Sequence, residues 1–217
     1  MYVDISEEVT ATFGLRYSDE EKNGKQRTCY VTFLECGPLD AENLNGYYFP
    51  QYSDTKLSWK ANLAYDVSPD TMMYGTISSS YKSGGFNPIS DSDPLVISDP
   101  SNASFEPETV VALEAGFKST RLDEAVQVNG TVFYYDYENM QTSKIVDVTS
   151  LNKNTDATIY GAELDINWRP AENLQISIVA SILDTEIKNF SDYDSADPNG
   201  DGSTSGLISC NSNLVLA

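Results

Sequence analysis

The chain has 217 residues and a formal charge of −20, from 33 acidic against 13 basic side chains. That balance argues against nucleic acid as a partner, since non-specific binding there rests on Lys and Arg neutralising phosphates. Histidine is absent altogether, which removes the usual general base near neutral pH and the commonest transition-metal ligand, so an enzyme here would work with carboxylates, Tyr or Cys.

The elements read in chain order are strands, recognised by alternating apolar and polar residues; helical periodicity is nowhere convincing. The first, about residues 8 to 17, sets Val9, Ala11, Phe13 and Leu15 against Thr10, Thr12 and Arg16. The second, about 55 to 66, sets Leu57, Trp59, Ala61, Leu63 and Tyr65 against Lys56, Ser58, Lys60, Asn62 and Asp66. A third, about 71 to 82, opposes Met73 and Ile77 to Thr76, Ser78, Ser80 and Lys82. The fourth, about 108 to 118, opposes Val111, Leu113, Ala115 and Phe117 to Glu114, Gly116 and Lys118. In the fifth, about 124 to 137, Val126, Val128, Val132 and Tyr134 oppose Gln127, Asn129 and Thr131. The sixth contains IYGAELDINW at 159 to 168, with Ala162, Leu164, Ile166 and Trp168 on one side and Gly161, Glu163, Asp165 and Asn167 on the other. The seventh, about 174 to 184, sets Leu174, Ile176, Ile178, Ala180 and Ile182 against Gln175, Ser177 and Ser181.

The connections alternate in length. DVSPDT at 66 to 71, STRLDE at 119 to 124 and RPAEN at 169 to 173 are short and rich in turn formers. Between them lie long ones, at about 18 to 54, 83 to 107, 138 to 157 and 185 onward. In an up-and-down sheet, alternate connections emerge at opposite ends, so one end carries tight turns and the other long loops. Outer-membrane barrels show that asymmetry, whereas a soluble sandwich scatters its long loops over both ends. Tyr65, Phe117 and Trp168 fall at the short-turn ends on the apolar side, where an aromatic girdle would lie, and Trp59 and Tyr134 fall nearer the long-loop ends.

No run approaches the roughly 18 apolar residues of a membrane helix, and the opening MYVDISEEVT does not read as a signal peptide. A barrel needs only about 10 alternating residues per strand. Cys29, Cys36 and Cys210 show no CxxC spacing; Cys29 and Cys36 are near enough in sequence to close a small loop in an oxidising compartment.

Four constellations invite a chemical reading. Glu163 and Asp165 have backbones about 6.6 Å apart on one strand face, which overlaps the carboxylate spacing of inverting glycosidases, but nothing in the sequence separates their proton affinities. Asp197, Asn199 and Asp201, with Gly202, follow the opening of a calcium loop, although Ile208 stands where such a loop needs its bidentate Glu. The run YKSGGFNP places Gly84 and Gly85 after Lys82 without the GK[ST] of a phosphate loop, and reads as a strand rim entering a loop. Phe133, Tyr135 and Tyr137 share the polar side of the fifth strand, where they could meet a ligand or an inner domain. The residues thus give no catalytic group, no cofactor and, beyond the calcium loop, no metal site.

The runs YGTISSSYKSGGFNP at 74 to 88, FEPETVVALEAGFKS at 105 to 119, VNGTVFYYDYENMQ at 128 to 141 and ATIYGAELDINWRPAENLQI at 157 to 176 resemble the C-terminal barrel of TonB-dependent outer-membrane receptors. FGLRYSDEEK at 13 to 22 and WKANLAYDVSPDTMMYG at 59 to 75 are similar to that family as well. The resemblance implies an all-β antiparallel up-and-down meander, a partial transmembrane β-barrel with short periplasmic turns and long extracellular loops. It implies a whole receptor of about 22 strands filled by a plug domain, taking up ferric siderophores, cobalamin or glycans with energy from TonB. The sequence departs from the family in lacking the plug, the TonB-contacting segment and the family's last strands, so it is expected to be a fragment unable to transport alone. Residues 1–190 are read as the barrel part and 191–217 as an acidic loop and tail. Alternative readings are a secreted soluble β-sandwich binding sugar or calcium through its loops, and a simple porin.

Overall fold

The computed structural model describes residues 1–25, 49–89, 94–122, 125–146, 149–188, 190–193 and 207–210. The strands are β1 (Tyr2–Asp4), β2 (Val9–Asn23), β3 (Gln51–Ser68), β4 (Thr71–Lys82), β5 (Gly85–Phe86), β6 (Ser104–Phe105), β7 (Glu108–Arg121), β8 (Val126–Val146), β9 (Thr149–Ala171), β10 (Leu174–Lys188), β11 (Phe190–Tyr193) and β12 (Leu207–Cys210). A one-turn helix α1 (Pro94–Ser98) and a 3-10 turn (Pro100–Asn102) lie between β5 and β6. Among the described residues, eight strands form one sheet in the order β1-β2-β3-β4-β7-β8-β9-β10, every pair antiparallel. Two small ribbons, β5–β6 and β11–β12, stand outside it. The seven expected strands are the seven long ones of this meander.

The register carries the alternation unbroken across the sheet. Thr12, Asn62, Thr76, Glu114, Phe133 and Gly161 form one row and Phe13, Ala61, Ile77, Leu113, Tyr134 and Tyr160 the next, on the opposite face. On the second face no charged residue occurs from Val9 to Tyr17, Leu57 to Val67, Thr71 to Ser79, Thr109 to Ser119, Val126 to Tyr134 or Thr158 to Trp168. Carboxylates resume toward the upper end, at Asp19, Asp136, Asp156 and Asp184, the last directly opposite Tyr160 and accepting from its hydroxyl.

Exposure is inverted relative to a soluble sheet. Phe13, Leu63, Met73, Leu113, Val132, Tyr134 and Leu164 are 38% to 56% exposed, while Tyr74, Thr76, Glu114, Phe133 and Tyr135 on the polar face are half-buried. A sandwich would pack the apolar face against a second sheet. No described sheet covers it, so the described residues give the soluble-sandwich alternative no support.

All three expected short turns lie at one end. Ser68 Oγ accepts from the Asp70 amide in the first, Leu122 adopts φ 55° in the second, and only Glu172 and Asn173 separate β9 from β10 in the third. The turns are tied together by Thr120 N–H to Asp70 O at 2.8 Å and Arg169 N–H to Ala125 O at 2.7 Å.

The other end corrects one expectation. Residues 138 to 157 are not a loop: β8 continues to Val146 and β9 starts at Thr149. A one-residue bulge between Tyr137 and Met140, with Asn139 at φ 55°, marks where the hairpin rises above its neighbours. Its sequence, NMQTSKIV then TSLNKNT, is mostly polar with no regular alternation, so the signal that identified the lower strands is missing. β2 and β3 likewise reach Asn23 and Gln51, beyond the expected 17 and 55.

Candidate functional site

The polar face is a sheet of hydrogen-bonded side chains aimed away from the apolar surface. Asn62 Nδ2 donates to Thr76 Oγ1 at 2.8 Å, the Tyr74 and Thr131 hydroxyls pair at 2.9 Å, and Tyr135 Oη donates to Glu114 Oε1 at 2.7 Å. Lower down, Ser177 Oγ donates to Asn167 Oδ1 and Asn167 Nδ2 to Asp165 Oδ1, at 2.7 and 2.6 Å. Two aromatic rings stand against glycines directly opposite: Tyr74 against Gly116 and Phe133 against Gly161. A Cβ on Gly116 would stand 2.5 Å from Gly130 O and 2.7 Å from Tyr74 Oη, and one on Gly161 would meet Ile182 O and stand 2.8 Å from Phe133 Cζ, so a larger residue would clash with the neighbouring backbone as well as with the ring.

Phe133, Tyr135 and Tyr137 do share this face, the first two stacked with centroids 5.0 Å apart. Glu163 and Asp165 also lie on it, but the Asp165 carboxylate is occupied by Asn167, and the pair is part of a polar wall rather than an isolated dyad. A recess of about 770 Å³ at the short-turn end is lined by Asp66, Asp70, Lys118, Gln127, Asn167 and Arg169, and so mixes both signs of charge.

At the opposite end the connection between β4 and β7 folds into a cap. Ile89, Val96 and Leu151 form a small buried cluster with Ala103 against it. By register Leu151 shares the side of Ala157 and Gly161, so the cap packs over the polar face. Asn87, fully buried, is its staple: Nδ2 donates to Asn102 O and Asn152 O at 2.9 and 3.0 Å, and Oδ1 accepts the Asn152 amide at 2.8 Å. Gln141 Nε2 donates to Ser83 O and Glu106 O, and Asn154 bonds the Glu106 backbone in both directions. The 3-10 turn is held by Asp99, which accepts from the Ser101 amide at 3.0 Å and from Lys153 Nζ at 3.3 Å; its carboxyl is held below the usual range, chiefly by the Ser101 side chain and then by the Ser101 amide and Lys153.

YKSGGFNP is indeed the strand-to-loop junction, since β4 ends at Lys82. Its glycine requirement comes from close approach rather than from strand geometry alone. A Cβ on Gly84 would stand 2.5 Å from Phe105 O and 2.8 Å from Tyr52 Oη. Gly84 N–H donates to that Tyr52 hydroxyl at 3.1 Å, and Lys22 Nζ donates to Gly84 O at 2.7 Å, which ties the loop base to the tops of β2 and β3.

The apolar face carries the expected aromatics at both levels. Tyr65, Phe117 and Trp168 sit toward the short turns, and Trp59 and Tyr134 toward the other end, all 36% exposed or more. Tyr17 and Tyr160, which lie inside the expected strands but were not singled out there, join the upper group. The cap residues Asn87, Gln141 and Asn154 were also missed, because isolated carboxamides carry no periodic signal. The calcium-loop candidates Asp197, Asn199 and Asp201, and the pair Cys29 and Cys36, lie outside the described residues. Among the described residues no group of three or more His, Cys, Asp or Glu is placed to hold a metal ion.

A sequence profile described as "TonB dependent receptor-like, beta-barrel" matches residues 2–208. Among solved structures, the chain is similar to the ferric yersiniabactin uptake receptor FyuA from Yersinia pestis, at 17% identity and TM-score 0.63 over 87% of this chain and 26% of that one. It is similar to the siderophore receptor PiuA from Acinetobacter baumannii, at 19% identity and TM-score 0.60 over 89% and 26%. The ferric-catecholate import receptor Fiu from K12 E. coli matches at 18% identity and TM-score 0.58, over 94% of this chain and 28% of that one. The chain therefore spans about a quarter of the length of the structures it matches.

Proposed function

Because the chain belongs to the TonB-dependent receptor-like β-barrel family, we propose that it is a sector of an outer-membrane barrel wall that lines the uptake path of a scarce ligand of the ferric-siderophore type. The observation that carries this reading is the exposed, charge-free apolar face backed by a half-buried polar one. In water such a face would be a large aggregation liability; in a bilayer it is the lipid-facing band of a barrel. About nine residues per strand, tilted as barrel strands are, span roughly 25 Å of hydrocarbon. The short turns then face the periplasm and the cap and tall hairpin face the outside.

The sheet's edges, β1 and β10, bear unpaired backbone groups that lipid cannot satisfy, so further strands of the same barrel pair there in the working receptor. The polar face is the surface a plug domain would meet, with TonB acting through that plug. Work by capture and gated passage, without bond chemistry, is consistent with a wall whose carboxylates are held by hydroxyls and carboxamides.

Both tryptophans, Trp59 and Trp168, lie on the apolar face, which gives a direct test. With the protein reconstituted in bilayers, lipids brominated on their acyl chains are expected to quench both. Fluorescence that ignores the brominated lipid would refute the wall assignment.

A further inference from the structure

Above the upper aromatics the outward face stops being uniform. One row runs unbroken across the sheet through Leu15, Trp59, Ser79, Val111, Asp136, Thr158 and Glu186, apolar at its β2–β3 end and acidic at its β8–β10 end. Tyr134 and Tyr160 lie in the row directly beneath Asp136 and Thr158. Aromatic rings of this kind mark the headgroup level, so the acidic end of the row falls among the outer-leaflet headgroups. Glu138, Asp156 and Asp184 share that corner, and Lys188, opposite Asp156, is its one cation among the described residues.

Phosphorylated lipid is ordinarily met by Lys and Arg, whereas bare carboxylates set against phosphate repel it. Some of these carboxylates are engaged within the protein: Asp184 accepts from the Tyr160 hydroxyl, and Asp156 accepts the Asn139 amide at 3.0 Å. Among the described residues, no hydrogen bond or ion pair engages Asp136, Glu138 or Glu186. Between Asp136 and Glu186 stands Thr158, which is 6% exposed and whose Oγ1 has no hydrogen-bond partner. Buried hydroxyls nearly always find one, so this oxygen is left for a group that the chain does not itself supply.

Pairing puts the Cβ atoms of Asp136 and Glu186 roughly 9–11 Å apart across Thr158, twice the spacing of directly opposed residues. Both carboxylates are exposed and free to turn inward. An aspartate and a longer glutamate can close that gap around one calcium ion, whose oxygen ligands lie at about 2.3–2.6 Å. Two carboxylates and a hydroxyl fall short of the roughly six to eight oxygens that calcium takes. Among the described residues no third carboxylate converges on them, so the remaining oxygens come from outside the protein.

We propose that Asp136, Thr158 and Glu186 form a calcium site on the outward face, completed by phosphate oxygens of an outer-leaflet lipid, so that the ion clasps a phosphorylated lipid to the barrel. This rests on the outer-membrane wall reading above and adds a site that faces away from the uptake path.

The test uses the full-length receptor carrying this wall, in detergent micelles, titrated with bisphosphorylated lipid A at millimolar calcium or with the calcium chelated. Chelation is expected to weaken binding at least about tenfold, because carboxylates then face phosphates directly. That arm needs no variant to fold. Asp136→Asn with Glu186→Gln should lose at least about tenfold at millimolar calcium and stop responding to chelation. Thr158→Val, close to threonine in shape, should lose about threefold. Dephosphorylated lipid A should bind no better with calcium than without it. Wild-type binding that ignores chelation, or a double variant that keeps the calcium response, would overturn the proposal. So would an equal calcium response from dephosphorylated lipid A, or a preference for an amine-bearing lipid that calcium does not affect. Tryptophans quenched by brominated lipid in a receptor without calcium-dependent lipid A binding would remove the site and leave the wall; unquenched tryptophans would remove the wall itself.

Discussion

Below the bulge at Asn139, β8 and β9 are two-faced; above it, the same two strands continue as a mostly polar hairpin whose one buried apolar side chain, among those described, is Leu151 under the cap. The lower part is fixed by register against β7 and β10, with rings set against glycines and a charge-free outer surface. The upper part has lost those neighbouring strands, and what replaces them is a set of carboxamides, Asn87, Gln141 and Asn154, bonded to the backbone of the cap. The difference shows what strand alternation reports. It marks a sheet whose two sides meet different media; above the bulge one side is covered by the cap at Leu151 and the other is polar, and the backbone ladder persists there without the alternation.

That is why the sequence was informative about one region and silent about the other. Ala162, Leu164, Ile166 and Trp168 announce their face because a charged residue there would be buried in hydrocarbon. Met140 to Val146 and Thr149 to Thr155 face no such penalty, and their strand character rests on cross-strand hydrogen bonds that no composition encodes. The short turns were legible from Pro69, Asp70 and Asn173, whereas the cap was not, since Asn87 is a staple only because chain folding brings it to Asn152, 65 positions away. Phe133 and Tyr135 were placed on the right face by parity, but their stacking and the Tyr135–Glu114 bond depend on register, which a single sequence leaves open.

The largest predicted effect breaks the comparison at the lower level. Leu164→Arg, on the apolar face of β9, should cost about 2–4 kcal/mol near the bilayer midplane and reduce the folded, heat-modifiable form seen on gels of the reconstituted barrel. Glu163→Gln, one residue away on the polar face, should fold normally. Ser150→Arg, on the same side as Leu164 but above the bulge, should also be tolerated, because that side is wet there. Equal tolerance at 164 and 150 would erase the distinction between the two regions.

A second change acts on the upper part alone. Asn87→Ala removes three side-chain hydrogen bonds from a fully buried position, those to Asn102 O, Asn152 O and the Asn152 amide. The expected local cost is about 2–3 kcal/mol. Hydrogen exchange should accelerate in residues 94–105 and 149–153 while β3, β4 and the lower half of β9 keep their protection. A uniform rise through the sheet would mean that the cap and the wall are one cooperative unit.

The smallest effect concerns pH and is confined to the cap. Asp99 binds its proton more weakly in the folded cap than as a free side chain, because the Ser101 hydroxyl, the Ser101 amide and Lys153 all favour the carboxylate. A lowered folded value means that its contribution is complete above the ordinary aspartate range near about 3.9 and is lost as pH falls below it. Its side chain is 54% exposed, so solvent screening keeps the contribution below about 0.5 kcal/mol. Protection of residues 99–103, corrected for intrinsic exchange, should therefore drop slightly between about pH 5 and pH 2.5, and Asp99→Asn should flatten that drop while leaving the lower strands untouched. The lower wall carries carboxylates of its own on the polar face, among them Asp66, Glu114, Glu163 and Asp165, so the informative comparison is between variants: a changed response of the β3–β4 ladder on Asp99→Asn would show that the cap's electrostatics reach the wall and that the boundary at Asn139 is not an energetic one.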